Sequence, residues 1–406
     1  MHGISLFLTS CLVTSGTITA AREIIFPPVV GRAETLYPRP YDGQAPIQPL
    51  QTSLSSHAAQ PDEDDVSLET DAIGGLASFA HLPYVPCFSS LADDQIDRYD
   101  IAILGAPFDT ATSYRPGARF GPHGIRDGSR RIRGYHSWNV YTGQNPFSEW
   151  AKIVDCGDAP LTFFDNTVAL KQLGKAHKII SGRQASNVSV SKVPRILMLG
   201  GDHTTTLAAL RSTIDHWGVV NVIHFDSHID TWNPNRIGGG VSEYAAVNHG
   251  TFLHIAHEEG LISNDSSIHV GIRAPLSSRR YDLANDAQCG FDIITARDID
   301  DIGVKGIIKR IKERVGDGKV YISVDIDVLD PAFAPATGTA EPGGWTTREL
   351  LSIIDGLSGL KVVGADVVEV APAYDNTGET TCIAAAEVAR SLLTLMVDVP
   401  VAAQDT

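Results

Sequence analysis

The chain has 406 residues, of which 43% are hydrophobic and 20% charged, so its composition is that of a globular protein with a large core. The formal net charge of −16 and the lack of any lysine- or arginine-rich run argue against a nucleic-acid surface. An acidic field mildly favours cationic substrates, although many soluble proteins are acidic for solubility alone.

The first 21 residues differ from the rest of the chain. The apolar run "ISLFLTSCLVTSG" is too short to span a bilayer, and the small residues around Ala20 and Ala21 suit cleavage. Residues 1–21 are therefore predicted to be a secretory signal peptide, although no Lys or Arg precedes the run; a short buried or mitochondrial segment is the alternative. We expect the protein to be secreted or to enter the secretory pathway. No later segment is predicted to be a membrane helix.

Cysteines and glycosylation sequons add little to this prediction. Two N-x-S sequons, at Asn187 and Asn264, fit secretion but often occur by chance. After the predicted signal peptide, the chain has four cysteines: Cys87, Cys156, Cys289 and Cys382. Their wide spacing shows no metal-binding pattern and specifies no disulfide, and buried free thiols fit it equally well.

Beyond the signal peptide, the chain divides into an extension and one predicted domain. Residues 22–73 contain several prolines and the run "PDEDD", which predicts an extension with little regular structure. Over residues 74–400, short apolar segments alternate with amphipathic ones, which predicts one α/β domain with a parallel sheet. Strands are predicted at "IAILGA" (101), "AKIVDCGD" (151), "RILMLGG" (195), "VVNVIHFD" (219), "IHVGI" (268), "DIIT" (292), "VYISVDID" (320) and "VVGADVVEV" (362). Helices are predicted at 163–181, 204–217, 301–315, 346–358 and 379–397, the fourth with a capping-box spacing at Thr346 and Glu349.

Polar motifs follow four of the predicted strands. They are "GGDH" at 200, "DSHID" at 226, "DIDVLDP" at 325 and "EVAP" at 369. In α/β sheets, ligands bind beyond the carboxyl ends of the strands. The motifs are therefore predicted to meet at one edge of the sheet.

The second and third motifs place acids and an imidazole at alternate positions. On a strand, Asp226, His228 and Asp230 would face the same way, and so would Asp325 and Asp327. Buried ionisable groups are costly unless they are compensated, and a bound cation is one way to compensate them. Each motif alone has a structural explanation, such as a helix cap at Asp202 or His203.

The three motifs together favour a metal centre. They offer six candidate ligands: His203, Asp226, His228, Asp230, Asp325 and Asp327. Four carboxylates and two imidazoles suit a pair of ions, and an oxygen-rich site with some imidazole suits Mn²⁺. Two such ions can share and activate a water molecule, so the pattern predicts metal-assisted hydrolysis.

The strings "GGDH", "FDSHID" and "SVDIDVLDPAFAPATGTAEPGG", in this order, resemble the ureohydrolase family of arginases and agmatinases. The resemblance covers residues 85 to 400 and includes "GAPFD" and "RPGARFGPHGIR". It implies a three-layer α/β/α fold with a central parallel eight-stranded sheet, two Mn²⁺ per subunit, and hydrolysis of a small guanidino substrate to urea and an amine. It also implies a homo-oligomer, a trimer or a hexamer, although nothing in this chain shows assembly.

The family pattern also assigns roles to single residues. It makes Asp226 and Asp325 bridging ligands, with His203 and Asp230 completing one ion, and His228 and Asp327 the other. Ser227 stands where the family usually has Ala and is expected to point away from the metals. Glu369 matches the family's guanidinium-binding glutamate, and a carboxylate suits a planar guanidinium. His249, in "NHGTF", matches a histidine thought to carry protons to the leaving amine.

The substrate is less specified than the chemistry. The loop 231–248 and "NHGTFLH" resemble fungal agmatinase-like proteins, so agmatine, giving putrescine and urea, is the leading prediction. An ammonium tail would suit Glu243, and the carboxylate tail of guanidinobutyrate would need Arg236 or backbone N–H groups. Guanidinobutyrate, giving 4-aminobutyrate and urea, is therefore the alternative. A formimino or amide substrate, or a non-catalytic secreted binding protein on the same scaffold, also stays open.

Overall fold

The computed structural model describes residues 77–89 and 96–404. The predicted signal peptide at 1–21 and the predicted extension at 22–73 lie outside these residues, so both stay predictions.

Eight strands form a single sheet in the described residues. They are β1 Ile101–Gly105, β2 Ile153–Asp158, β3 Arg195–Leu199, β4 Asn221–Phe225, β5 Ser267–Ile272, β6 Phe291–Thr295, β7 Lys319–Asp325 and β8 Lys361–Val368. All neighbouring strands are parallel, in the order β2-β1-β3-β8-β7-β4-β5-β6. This topology confirms the predicted fold class and the eight predicted strands.

Eight α-helices accompany the strands in the same residues. They are α1 Gly121–Gly128, α2 Asn166–Ser181, α3 Thr205–Trp217, α4 Phe252–Glu258, α5 Arg279–Gln288, α6 Asp298–Val315, α7 Thr347–Gly356 and α8 Thr380–Asp398. The predicted capping box begins α7: Thr346 Oγ1 accepts from Glu349 N at 3.2 Å, and Glu349 Oε2 accepts from Thr346 N at 2.9 Å. The sequence pattern predicted five helices and missed α1, α4 and α5.

The core has two hydrophobic clusters, one on each face of the sheet. Because successive side chains of a strand alternate, Ile101 and Ile103 join one cluster, and Ala102 and Leu104 join the other. The first cluster contains side chains of α1, α6, α7 and α8, and the second contains side chains of α2, α3 and α4. Helices therefore cover both faces, which confirms the three-layer α/β/α arrangement.

Helix α8 corrects one expectation from the sequence. By length and composition it could cross a membrane, although no such segment was predicted after the N-terminal run. However, 78% of its most apolar stretch is buried in the core, against the sheet and other helices. Core helices of soluble proteins have the same composition, so α8 is weak evidence for a membrane span.

The four strands that precede the polar motifs are neighbours. They occupy the centre of the sheet in the order β3-β8-β7-β4. Because all strands are parallel, their carboxyl ends lie at the same edge. The topology alone therefore brings the motifs together.

A disulfide fastens the first described segment to the sheet. Cys87 is bonded to Cys156 of the edge strand β2, across 69 residues of sequence. The thiols of Cys289 and Cys382 are free and buried. This pairing resolves a question that the spacing of the cysteines left open.

Breaking this bond is expected to destabilise the domain. Cys156→Ser should lower the free energy of unfolding by about 2–4 kcal/mol, because the unfolded chain regains the freedom of a long loop. Urea unfolding of wild type and variant, each with and without reductant, measures this. Reductant should lower the stability of the wild type and leave the variant unchanged; equal stability of reduced and oxidised wild type would contradict the prediction.

Candidate metal centre and active site

The six predicted ligands converge, but not through strand alternation. Strand β4 ends at Phe225 and β7 ends at Asp325, so Asp226 to Asp230 form a loop and Asp327 lies in a 3₁₀ turn. The alternation argument was therefore wrong, although the convergence that it predicted is present. Asp230 has a φ of 49°, which is uncommon for a residue other than glycine. Such backbone strain often occurs at functional sites.

One group of candidate ligands surrounds the imidazole of His203. Its Nδ1 lies 3.1 Å from Asp226 Oδ2, 3.2 Å from Asp230 Oδ2 and 3.4 Å from Asp325 Oδ2. All four side chains are buried. The other oxygen of Asp325 accepts the backbone N–H of Asp327 at 2.7 Å.

A second group lies on the other side of Asp226. His228 Nδ1 is 3.3 Å from Asp226 Oδ1 and 3.1 Å from Asp327 Oδ2. Asp226 therefore presents one carboxylate oxygen to each group, an arrangement that would let it bind two ions. The structure brings together all six residues that the sequence predicted.

The unpartnered atoms of this cluster fit divalent cations. His203 Nδ1, Asp226 Oδ2 and Asp327 Oδ2 are buried and have no hydrogen-bond partner. Burial and the charge of Asp226 raise the pKa of Asp230 to about 6. Burial, together with the charges of Asp327 and Asp226, also raises the pKa of Asp325. Cations among these carboxylates would relieve both effects, and the donor set suits a pair of metal ions.

The far side of His203 is fixed by groups that the motifs did not reveal. His203 Nε2 lies 2.8 Å from Ser323 Oγ, and Ser323 donates to Asp366 Oδ1 at 2.6 Å. Because Ser323 gives its hydrogen to the carboxylate, it accepts from Nε2, and Nδ1 keeps the lone pair that a metal needs. Ser323 and Asp366 face each other across β7 and β8, so only the sheet register shows the link.

Ser227 does not behave as expected. Rather than pointing away from the ligands, its hydroxyl donates to Asp327 Oδ1 at 2.8 Å and lies 3.0 Å from His228 Nδ1. Its backbone N–H also donates to Asp327 Oδ1, at 3.0 Å. Ser227 therefore helps to hold one ligand of the second group.

Ser227→Ala, which restores the usual family residue, tests this contact. We expect weaker binding of one metal ion, by about tenfold, because partners of ligands usually affect affinity by about 10–100-fold. Titration with Mn²⁺ under metal-free starting conditions measures the change. Ser266→Ala serves as the control, because the hydroxyl of Ser266 donates to Asp265 and not to a ligand. Equal affinities in all three proteins would contradict the prediction.

Glu369 lies directly after β8, beside the first group of ligands. Its Oε1 accepts the backbone N–H of His203 at 2.9 Å and lies 3.3 Å from His249 Nδ1. Its Oε2 is buried and has no partner. The φ of 62° at Glu369 is a second unusual conformation of a residue other than glycine. The carboxylate thus has one oxygen fixed by protein and one open to a ligand.

His249 can hold a proton next to this carboxylate. Burial lowers its pKa, but the hydrogen bond and charge of Glu369 outweigh that effect and raise it to about 9. Ser113 can partner His249 Nε2 in both protonation states. Its backbone N–H, at 3.1 Å, can donate to the neutral ring, and its hydroxyl, at 2.9 Å, can accept from the charged ring.

The loop 231–248 contributes less than the sequence suggested. The guanidinium of Arg236 packs over the ring of Tyr281, 3.8 Å from its centre, and Glu243 is exposed. A different carboxylate lies beside the ligands: Glu341 Oε1 is 3.8 Å from His228 Nε2, and its side chain is 30% exposed. Glu341 belongs to the string "TGTAEPGG", so the sequence contained it, but its proximity to His228 depends on the fold.

Several known proteins are similar to this chain in sequence and in fold. The profile of the Arginase family matches residues 99–394. A Schizosaccharomyces pombe protein named "Putative agmatinase 1" is 54% identical over 83% of this chain and 86% of its own length. The agmatinase of Enterobacter sp. strain 638 is 39% identical over 72% of this chain and 86% of its own. The structure of proclavaminate amidino hydrolase from Streptomyces clavuligerus superposes with a TM-score of 0.69 and 36% identity, covering 81% of this chain and 99% of that one.

Proposed function

This chain belongs to the arginase family and is a ureohydrolase, and we propose that it hydrolyses agmatine to putrescine and urea with two Mn²⁺ per subunit. The similarity to proteins named agmatinase supports this substrate. The oxygen-rich donor set supports manganese.

We infer the substrate class from one observation, which is that Oε2 of Glu369 has no hydrogen-bond partner within the described part of the chain. This oxygen is buried beside the candidate ligands. A planar guanidinium offers N–H groups that a carboxylate accepts well. A guanidinium bound there would have its carbon next to the candidate ligands around His203, because Glu369 Oε1 accepts the backbone N–H of His203.

The reaction needs a nucleophile, a held substrate and a proton for the leaving amine. When bound, the metal pair supplies an activated water near neutral pH. Glu369 orients the guanidinium, and burial of its carboxylate strengthens that contact. The Nδ1 atom of His249 lies 3.3 Å from Glu369 Oε1, and the protonated ring delivers its proton to the departing amine. Ser113 Oγ contacts Nε2 and keeps the ring in place.

Charges near the site favour an ammonium tail over a carboxylate tail. Arg236, the candidate partner of a carboxylate tail, is engaged with Tyr281. Glu341 offers a partly exposed carboxylate next to His228, and an ammonium group would complement it. Guanidinobutyrate has the opposite charge at this end and would be repelled.

Urea release from agmatine, guanidinobutyrate and arginine, measured on one preparation with added Mn²⁺, tests the proposal. We expect the highest kcat/KM for agmatine. A tenfold preference for guanidinobutyrate, a gap of about 1.4 kcal/mol, would overturn the agmatine assignment but keep the ureohydrolase chemistry. No urea from any of the three compounds would overturn the proposal and leave a formimino or amide substrate, or a non-catalytic binding protein, as the alternatives.

We also propose that the protein is exported. The apolar N-terminal run supports this, and the Cys87–Cys156 disulfide fits an oxidising compartment. Mature protein from the natural host should begin near Ala21 or Arg22. N-terminal sequencing that finds residue 1 or 2 would end this proposal.

We further propose a homo-oligomer, a trimer or hexamer, from the family resemblance alone. Light scattering coupled to size-exclusion chromatography measures the mass of the particle. A particle with the mass of a single chain, which is 43.5 kDa before any signal peptide is removed, would contradict the proposal.

A further inference from the structure

The guanidinium of Arg273 lies against the backbone of three segments around the candidate metal centre. Arg273 directly follows β5, and all of its hydrogen bonds within the described residues go to main-chain carbonyl groups. The acceptors are the carbonyl oxygens of Gly271 at 3.3 Å, Asp327 at 2.6 Å, Val328 at 3.2 Å, Leu329 at 3.1 Å and Glu341 at 2.7 and 3.1 Å. A guanidinium presents five N–H donors in one fixed plane, so a single side chain can join several segments.

Two of these segments carry side chains of the candidate site. Asp327 is a candidate ligand, and its carbonyl oxygen makes the shortest of the bonds to Arg273. The carbonyl oxygen of Glu341 accepts from two nitrogens of Arg273, Nη2 at 2.7 Å and Nε at 3.1 Å. The carboxylate of the same Glu341 lies 3.8 Å from Nε2 of His228. Arg273 therefore links the backbone of a candidate ligand to that of the residue proposed to meet the substrate tail.

The main chain of Arg273 is fixed to the loop that carries His228. The backbone N–H of Arg273 donates to the carbonyl oxygen of Ser227 at 3.0 Å, and the N–H of Ala274 donates to the same oxygen at 2.9 Å. Ser227 directly precedes His228. Arg273 thus holds the His228 loop through its main chain and Glu341 through its side chain. The distance between the Glu341 carboxylate and His228 depends on both connections.

The segment after Glu341 is held at its other end by Asp330. The Asp330 carboxylate accepts the backbone N–H groups of Gly343 at 2.7 Å and Gly344 at 3.2 Å. A Cβ atom at Gly344 would lie 2.6 Å from Arg273 Nη2 and 2.6 Å from the backbone nitrogen of Asp330. Glycine at this position therefore lets the backbone approach the guanidinium closely. Without the guanidinium, Asp330 would still hold Gly343 and Gly344, but Glu341 would lose its fixing contact.

We propose that Arg273 is a positioning residue that sets the preference for the substrate tail, because it holds the Glu341 carboxylate beside His228. The inference rests on the proposed function and on the role of Glu341 in it, and it adds the group that keeps Glu341 in place. A carboxylate that is ordered before binding attracts an ammonium tail more strongly than one that must be ordered by the substrate. Arg273 itself contacts only the backbone and acts on the substrate through Glu341.

The first test is the substrate preference of Arg273→Lys. Lysine keeps the positive charge but offers a single ammonium group, which cannot reach all of these carbonyl groups. We expect the ratio of kcat/KM for agmatine to kcat/KM for guanidinobutyrate to fall by about threefold to fivefold, as for the loss of a partly exposed charge pair. An unchanged ratio in a folded Arg273→Lys would overturn the proposal.

Arg314→Lys is the matched control for this test. Arg314 is also partly buried, and it donates to the main-chain oxygens of Ser267 at 3.0 Å and Gly290 at 2.8 Å. Ser267 is at the opposite end of β5 from Arg273. The control variant loses a similar bracket of the backbone away from the candidate site, so its ratio should equal that of the wild type. An equal fall in both variants would show a general effect of the lost bonds and would overturn the proposal.

A double-mutant cycle shows whether the effect passes through Glu341. In the Glu341→Gln background there is no charge to hold in place, so Arg273→Lys should leave the ratio of the two substrates unchanged. The same fall in both backgrounds would show that Arg273 acts by another route, and the proposal would be wrong.

A crystal structure of Arg273→Lys tests the placement without an assay, and so separates this inference from the proposed function. Displacement of the Glu341 carboxylate from His228 supports the positioning role, and an unchanged position overturns it. Should the wild type release no urea from either compound, the proposed function fails and this structure still decides whether Arg273 holds Glu341. If Arg273→Lys does not fold, a structure of the wild type with agmatine replaces it. An ammonium tail at Glu341 with the bonds from Arg273 intact supports the proposal, and a tail bound away from Glu341 overturns it.

Discussion

Asp226→Asn is expected to remove most of the bound manganese and nearly all urea production. Asp226 is the residue that the two groups of candidate ligands share, with Oδ2 3.1 Å from His203 Nδ1 and Oδ1 3.3 Å from His228 Nδ1. Asn keeps the shape but offers one neutral oxygen instead of two charged ones. Since changes to mere partners of ligands cost about 10–100-fold, loss of a shared ligand should exceed about 100-fold in affinity.

Elemental analysis after gel filtration, combined with a urea assay, measures both effects. Asp300→Asn, on the exposed side of α6, is the control for the loss of one negative charge and should keep both ions. Two retained ions with normal turnover in Asp226→Asn would reject the assignment of Asp226. Loss of metal together with loss of the fold, seen by circular dichroism, would require comparison with the metal-free wild type.

The strands of this fold could be read from the sequence because they are buried on both faces. Parallel strands covered by helices are continuous apolar runs, and runs such as "VVNVIHF" differ clearly from their surroundings. The three missed helices lack the expected apolar periodicity. Helix α1, "GPHGIRDG", has one internal glycine besides the two at its ends and a proline near its start, and α4 has only seven residues.

Helix α5 shows the limit of periodicity most clearly. Its sequence is "RRYDLANDAQ", and its buried residues are Asp282, Asn285 and Asp286. They have the spacing of a core-facing stripe, but they are polar, so a search for apolar residues misses them. Asp286 Oδ1 lies 2.9 Å from His269 Nε2, and His269 Nδ1 lies 2.8 Å from Nδ1 of His224, two residues before Asp226. The helix that was hardest to predict therefore carries a residue next to the site.

The residues of the candidate site also fall into those that the sequence predicted and those that only the fold reveals. Motifs of adjacent residues gave the six ligands, Glu369 and His249, because a short string contains each of them. Contacts across the sheet were not predictable: His224 meets His269 of β5, and His203 meets Ser323 of β7.

Glu369→Gln is expected to lower kcat/KM while the metal content stays unchanged. The loss of transition-state stabilisation should be about 2–4 kcal/mol, as for the truncation of a desolvated charge pair. Gln can still accept the backbone N–H of His203 through its amide oxygen, so the local fold should survive. The group that replaces Oε2 is then an NH₂, which presents hydrogens to the N–H groups of a guanidinium. An attractive contact becomes a repulsive one in a buried place.

Two variants compared on two substrates identify which end of the substrate Glu369 binds. Agmatine and guanidinobutyrate share the guanidinium, so Glu369→Gln should lower kcat/KM for both by similar factors. Glu341→Gln, beside His228, should instead lower the preference for agmatine, because it removes the charge that would attract an ammonium tail. Wild-type kinetics in Glu369→Gln would show that Glu369 does not contact the substrate. A loss confined to agmatine would show that Glu369 binds the tail of the substrate and not its guanidinium.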